Sequence, residues 1–133
     1  MDRTRRRHDD RGVSISVLTT AVMMAVFLVA GLVVDGTAQV RAHRQAEVVA
    51  ARAARSGSDA GAAYRLVGQA GTAEAVTAAR AVLAAEGIEG DVSAHEGRIV
   101  VDTRVRTATT FLSLLGIGSL SAEGSASGEL KRV

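Results

Sequence analysis

The chain of 133 residues contains no cysteine, tryptophan or asparagine, and its only aromatic residues are Phe27, Tyr64 and Phe111. Without cysteine it can form neither a disulfide framework nor a thiolate metal site, and without asparagine it has no glycosylation sequon. The scarcity of aromatic rings excludes a basic groove in which nucleic-acid bases stack. Ala, Val and Leu must form the core, so we expect a small domain that is stabilised by a membrane, by partners or by assembly.

Residue constellations for catalysis are also missing. No Gly-x-Ser-x-Gly motif occurs, and the single lysine, Lys131, does not follow a glycine-rich phosphate loop. His8, His43 and His95 lack the spacing to other histidines or carboxylates that a metal site needs. The adjacent carboxylates Asp9 and Asp10 lie in a tail without a rigid frame for acid–base chemistry. We therefore expect no enzyme activity, no cofactor and no metal ion.

The longest uncharged stretch of the chain is Val13 to Val34. As a helix it would be roughly 33 Å long, enough to cross the hydrocarbon core of a bilayer. Its serine and threonine hydroxyls can bond to carbonyls of the preceding helical turn and do not prevent insertion. The sequence therefore predicts a transmembrane helix at 13–34, around which the remainder of the chain is organised.

Charge on the two sides of this segment predicts its orientation. The tail, residues 1–12, is rich in arginine, whereas the stretch just after the span has only Arg41 and Arg44. The positive-inside rule then gives a single-pass protein of the cell (inner, cytoplasmic) membrane with a cytoplasmic N-terminus and an extracytoplasmic head. Contact of the tail with an acidic partner or with anionic headgroups is the alternative interpretation. The orientation signal consists of Arg3, Arg5, Arg6, Arg7 and Arg11.

Two patterns near the span resemble processing signals that compete with a retained anchor. Gly36-Thr37-Ala38 fits the small-x-small pattern of a signal-peptidase site, but the apolar run is longer than that of a signal peptide and Asp35 interrupts it. The tail contains a twin arginine, but further charged residues follow it where a twin-arginine signal needs apolar ones. Both patterns favour a segment that is not removed as a secretory signal.

Helical periodicity continues beyond the apolar run and predicts a helix extension at 35–56. Its arginines fall on the side nearly opposite a stripe of small residues. Such a stripe lets another element approach closely, and two partners fit it: the chain's own C-terminal domain, or helices of neighbouring subunits. The predicted packing stripe consists of Ala38, Ala42, Ala46, Val49 and Ala53.

Residues Ser56 to Gly61 have the composition of a helix end, which predicts a linker at 57–70 before a head at 71–133. In the head we expect a helix from Thr72, as N-cap, to a stop at Gly87. The period then changes to two, which predicts strands at 91–95 and 98–107 around the turn Glu96-Gly97. A short apolar run, Phe111 to Leu115, precedes a last strand. The predicted fold class is α+β: a long N-terminal helix and a small head with one helix on a three-stranded antiparallel sheet.

Three features together resemble a known family. They are Arg11-Gly12 before the span, the exit Gly31-Leu-Val-Val-Asp35-Gly36, and the Ala/Arg-rich helix Gln39 to Arg55. The chain resembles the TadE/TadG-like proteins of the tight-adherence (Flp-type, type IV-like) pilus machinery, especially actinobacterial versions. The resemblance implies a pilin-like shape and a structural role as minor pilin, pseudopilin or membrane-anchored assembly component. It also implies a hetero-oligomer with other pilin-like or Tad assembly proteins in the membrane.

The family pattern implies cleavage after Gly12, so that the mature chain would begin at Val13. Val17 occupies the fifth position after that site, where pilin-like precursors usually have glutamate. Cleavage and a retained anchor therefore both stay open. The alternative function is a membrane-tethered module that binds a cell-envelope ligand, for which the exposed strand residues Asp102, Arg104 and Arg106 form the candidate patch.

Overall fold

The computed structural model describes residues 9–130, and residues 9–13 by their backbone alone. Two helices precede a three-stranded sheet, and a short 3-10 helix lies between the second and third strands. In chain order the elements are α1 (Asp9–Leu66), α2 (Thr72–Glu86), β1 (Glu89–His95), β2 (Arg98–Ala108), the 3-10 helix (Leu112–Leu115) and β3 (Ser119–Glu129).

The first helix, α1, runs for 58 residues without a break, so the linker predicted at 57–70 is wrong over most of its length. The glycines expected to end the helix lie where α1 packs closely on the remainder of the head. A Cβ atom on Gly57 would lie 2.5 Å from Ile99 Cδ1, and one on Gly61 would lie 3.0 Å from the Gly71 carbonyl oxygen. Close packing thus offsets the roughly 1 kcal/mol that glycine costs in a helix relative to alanine.

Helix α2 has the predicted bounds, but its start differs from the prediction. Gly71, with φ 63°, is the N-cap residue, and Thr72 makes no capping hydrogen bond. Gly71 lies directly against the backbone of Gly61, which leaves no room for a side chain. At the other end, Gly87 is left-handed and its amide bonds to carbonyls of the last turn, as predicted.

The sheet has the order β1-β2-β3, and both pairs of neighbouring strands are antiparallel. The turn between β1 and β2 joins the paired residues His95 and Arg98 through Glu96 and Gly97. Both turn residues have positive φ, 50° and 76°, as a type I′ hairpin turn requires. The hairpin predicted from the sequence is therefore confirmed.

One face of the sheet is covered by helices and the other is exposed. Ile99, Val101 and Thr103 of β2 are buried, and the alternate residues Asp102 and Arg104 are exposed, as the period of two predicted. Helix α1 packs on β2 and β3, while α2 packs on β1 and on α1. Helix α2 thus packs on the sheet as predicted, and the C-terminal half of α1 covers it as well and belongs to the core of the head.

Small residues let the layers of this core approach closely. Gly124 and Gly128 of β3 lie directly against the backbone of α1 near Ala46 and Ala54. The largest fully buried side chains among the described residues are Ile99 and Val101. Close contacts between backbones thus accompany a core of small and medium-sized apolar side chains. The α+β, pilin-like layout predicted from the sequence is confirmed.

Candidate functional site at the base of the head

A buried carboxylate lies where the apolar run of α1 ends. Asp35 is 3% exposed, and its two oxygens accept hydrogen bonds from three successive backbone amides. Oδ1 accepts from Thr110 N at 2.8 Å, and Oδ2 accepts from Phe111 N at 3.0 Å and Leu112 N at 2.7 Å. One side chain of α1 thus holds the segment that connects β2 to β3.

This segment, residues 109–118, is called the apolar loop below. Its 3-10 helix leaves the first backbone amides without partners inside the helix, and Asp35 satisfies them. Gly116, with φ 87°, ends the 3-10 helix, and the Ile117 amide bonds to the Leu112 carbonyl at 3.0 Å. The Thr109 amide donates to the Gly118 carbonyl at 3.2 Å and closes the neck of the loop.

Phe111 packs directly on α1 at Gly31, one helical turn before Asp35. A Cβ atom on Gly31 would lie 2.6 Å from Phe111 Cγ, so any side chain there would displace the ring. Gly31 and Asp35 therefore form one face of α1 that receives the apolar loop. Gly36, immediately after Asp35, has no atom within 4 Å of a hypothetical Cβ and makes no such contact.

The amides at the loop also set the charge state of Asp35. Hydrogen bonds from Thr110 and Leu112 hold the pKa of the Asp35 carboxyl below its ordinary value of 3.8. Desolvation by burial acts in the opposite direction and raises the pKa, and the weaker effect of the Phe111 amide lowers it again. Asp35 is therefore an anion at neutral pH, and its negative charge faces the positive ends of three backbone dipoles.

The apolar loop that Asp35 holds carries exposed apolar side chains. Leu114 is 83% exposed and Leu115 is 70% exposed, and Ile117 is exposed as well. The N-terminal part of α1 is also bare, since only 6% of its most apolar 18-residue window is buried. By length and composition, α1 is the one helix within residues 9–130 that could cross a membrane. It is therefore a candidate membrane span.

The small-residue stripe of α1 lies against the chain's own head. Ala42, Ala46, Val49 and Ala53 are buried, and Ala38 is half-buried. The hydroxyl of Thr103 on β2 lies 2.8 Å from the Ala46 carbonyl oxygen, to which it can donate. Of the two partners that the sequence left open, the structure shows the chain's own domain. These four buried residues are not a surface to which a helix of another subunit could bind.

The residues predicted as a candidate patch for a cell-envelope ligand lie on the exposed face of the sheet. Asp102, Arg104 and Arg106 are exposed there. Arg104 is paired with Glu123 of β3, with Nη2 at 2.7 Å and Nε at 3.1 Å from the same carboxylate oxygen. This exposed ion pair engages the guanidinium group of Arg104, so a ligand at the patch would have to compete with Glu123.

Histidines and carboxylates do not cluster in the part of the chain that the structure describes. No group of three or more His, Cys, Asp or Glu side chains that could hold a metal ion is found within residues 9–130. His43 lies 3.4 Å from Glu47, one helical turn away, and both side chains are exposed. Such an i,i+4 pair contributes a few tenths of a kcal/mol to a helix.

Several predicted residues fall partly or wholly outside the described residues. The side chains of Arg3, Arg5, Arg6 and Arg7 lie outside them, and Arg11 is described by its helical backbone alone. The proposed cleavage position between Gly12 and Val13 lies within the helical backbone of α1, without described side chains. The orientation signal and the processing site therefore stay predictions.

The apolar loop was predictable from the sequence as a short apolar connection. Its contact with Asp35 was not predicted, because Asp35 was interpreted only as the end of the span. The available signal was a single carboxylate directly after a long uncharged run, together with a second apolar stretch far along the chain.

No family model, curated protein or solved structure matches this chain.

Proposed function

We propose that this protein is a structural, non-enzymatic, membrane-anchored component of a Tad/Flp-type pilus or a related secretion apparatus. The proposal rests on the resemblance over Arg11 to Arg55 and on one structural observation. That observation is the continuity of α1, whose N-terminal part is bare and apolar and whose C-terminal half is built into the core of the head. A head that is fused in this way to a candidate span is the shape of a pilin.

In this function Val13–Val34 holds the protein in the cytoplasmic membrane with its N-terminus inside, as the arginines of the tail indicate. The head is presented on the extracytoplasmic side. Because the small-residue stripe is buried within the chain, partner pilins would contact the bare span and the outward face of α1. That outward face consists of Val40, Arg44, Val48, Ala51 and Arg55, all of which are exposed.

The absence of cysteine from the chain allows a direct test of this partner surface. A single cysteine at Val48 (Val48→Cys), labelled with a maleimide that carries a photoreactive benzophenone and irradiated in native membranes, should cross-link to a second protein with an N-terminal apolar helix. The matched control is Ser127→Cys on the exposed face of the sheet, which should give no such product. Equal products from both positions, or a partner that lacks an apolar helix, would contradict the proposed role.

Whether the protein joins a fibre or stays in the membrane is decided by its N-terminus. The intact mass of protein isolated from native membranes should match a chain that begins at Val13 if a peptidase cuts after Gly12. A full-length mass would instead assign a permanent anchor that supports assembly without entering the fibre. The alternative of a ligand-binding module has weaker support, because Arg104 of its candidate patch is engaged by Glu123.

A further inference from the structure

The apolar loop has a surface that anchoring by Val13–Val34 does not explain. No charged residue occurs between Arg106 and Glu123, and the side chains of Leu114, Leu115 and Ile117 are exposed. Grouped apolar side chains at a protein surface mark a contact with a membrane or with another protein. We therefore expect a membrane or another protein to cover the apolar surface of the loop.

The position of the loop along α1 favours a membrane over another protein as the contact of this surface. Phe111 packs on Gly31, which lies within the uncharged run and about 6 Å before Asp35 along the helix axis at 1.5 Å per residue. The loop consequently reaches down beside the end of the span and does not stop above it. Leu114 and Leu115 follow Phe111 within the same short loop and are exposed, so they lie close to the level of the span's end, where the surroundings in a membrane are acyl chains and headgroups.

Several backbone amides of the loop have hydrogen-bond partners within the protein and do not need water. In lipid, unpaired amides and carbonyls are costly, and irregular backbone is tolerated only where protein satisfies it. Asp35 accepts from the amides of Thr110, Phe111 and Leu112. The amides of Leu114 and Gly116 bond within the loop at 3.1 and 3.0 Å. The apolar side chains can therefore face acyl chains while these amides remain paired.

We propose that the apolar loop is a second membrane contact, in which Leu114, Leu115 and Ile117 insert among the acyl chains of the leaflet that faces the head. Asp35 keeps the loop folded against α1 at the depth of the headgroups. This inference rests on the proposed function in one respect, namely that Val13–Val34 crosses a bilayer. Its consequence is attachment at two points, so that the face of the head that carries the loop is turned toward the membrane.

The test uses the full chain, purified and reconstituted alone into phosphatidylcholine–phosphatidylglycerol vesicles. Leu114→Cys carries a fluorescent thiol label, and separate samples contain lipids with a nitroxide quencher near the headgroup or at the end of the acyl chain. Leu28→Cys is the control within the span, and Ser125→Cys is the control on the exposed sheet face. Iodide in the buffer measures exposure to water at each position.

We expect the label at position 114 to lose fluorescence to nitroxide lipids, more strongly with the quencher near the headgroup, and to be protected from iodide. The label at 125 should show the reverse. If 114 behaves like 125 while 28 is quenched by lipid, the loop proposal is overturned and the anchor stands. If 28 is not quenched by lipid either, the span and the loop contact both fail. A label at 114 that neither quencher reaches would show that a second copy of the chain covers the loop, which also overturns the proposal.

Discussion

The close packing of α1 on the head can be tested at two glycines of the same helix. At Gly57 an added Cβ would lie 2.5 Å from Ile99 Cδ1 and 2.8 Å from the Ala75 carbonyl oxygen, whereas at Gly36 it would meet no atom within 4 Å. Replacing either glycine by alanine gains about 1 kcal/mol of helix propensity. Only Gly57→Ala also overpacks the core, at a cost of about 1–3 kcal/mol.

The difference between the two variants isolates the packing cost, because the propensity gain is common to both. Gly57→Ala should therefore be less stable than Gly36→Ala by about 1–3 kcal/mol, or at least ~4 °C in Tm for a domain of roughly 60–100 residues. The Tm can be read in detergent micelles by brief trypsin digestion over a temperature series, since arginines of the sheet become cleavable when the head opens. Equal Tm values for the two variants would refute the close approach of α1 and Ile99.

A second substitution measures how much of the packing cost of Gly57→Ala comes from the Cδ1 atom of Ile99. Ile99→Val removes the Cδ1 methyl group that collides with the new Cβ. Alone it should destabilise the head by about 0.5–1.5 kcal/mol, but in the Gly57→Ala background it should cost less or restore stability. The interaction energy in this double-mutant cycle should be about 0.5–3 kcal/mol in favour of the double variant. Additive effects would show that Ile99 is not the side chain in the way.

Three further predictions concern single side chains. Asp35→Asn should remove an acid-dependent contribution to loop stability: with its pKa lowered from 3.8, Asp35 stabilises the loop fully above that pH and loses this effect as pH falls through the folded-state pKa. NMR shifts of the Thr110 and Leu112 amides should report this titration. Thr103→Val should cost about 0.5–1.5 kcal/mol through loss of the hydrogen bond to α1, measured as Tm. Glu96→Asn should raise Tm, because asparagine adopts the positive φ of this turn position more readily than glutamate.

Each of these predictions has a control on the same element or of the same residue type. Asp102→Asn, on the exposed face, should leave the acid titration of the loop amides unchanged. Thr107→Val, on the same strand as Thr103, should not lower Tm. Glu89→Asn lies in extended backbone, so it should not raise Tm. Loop amides that still titrate in Asp35→Asn, or a Thr103→Val variant as stable as the parent protein, would contradict the contacts described above.

The parts of the fold that local patterns determine could be predicted from the sequence. Strand β2 alternates between Ile99, Val101 and Thr103 on one side and charged residues on the other, and only a strand gives that alternation. The turn at Glu96-Gly97 was predictable because glycine adopts positive φ without strain. Helix α2 was predictable from its apolar spacing and from Gly87, although its N-cap was not.

The continuation of α1 could not be predicted in the same way. Ser56-Gly57-Ser58-Asp59 has the composition of a loop, and only the identity of the opposing surface changes that interpretation. Gly57 is opposed by Ile99, a contact between residues far apart in sequence. Tertiary packing thus overrode local propensity at this point. The site was missed for the same reason, since Asp35 and the Thr110 amide lie 75 positions apart.

The unbroken helix α1 has a mechanical consequence. At 58 residues it is roughly 87 Å long, it contains no proline because the whole chain contains none, and its second half is fixed to the sheet. A pull on the head along the helix axis therefore reaches Val13–Val34 through a continuous ladder of backbone hydrogen bonds, with no slack segment to extend first. A torque is transmitted in the same way, so that a rotation of the candidate span about the helix axis would also turn the head.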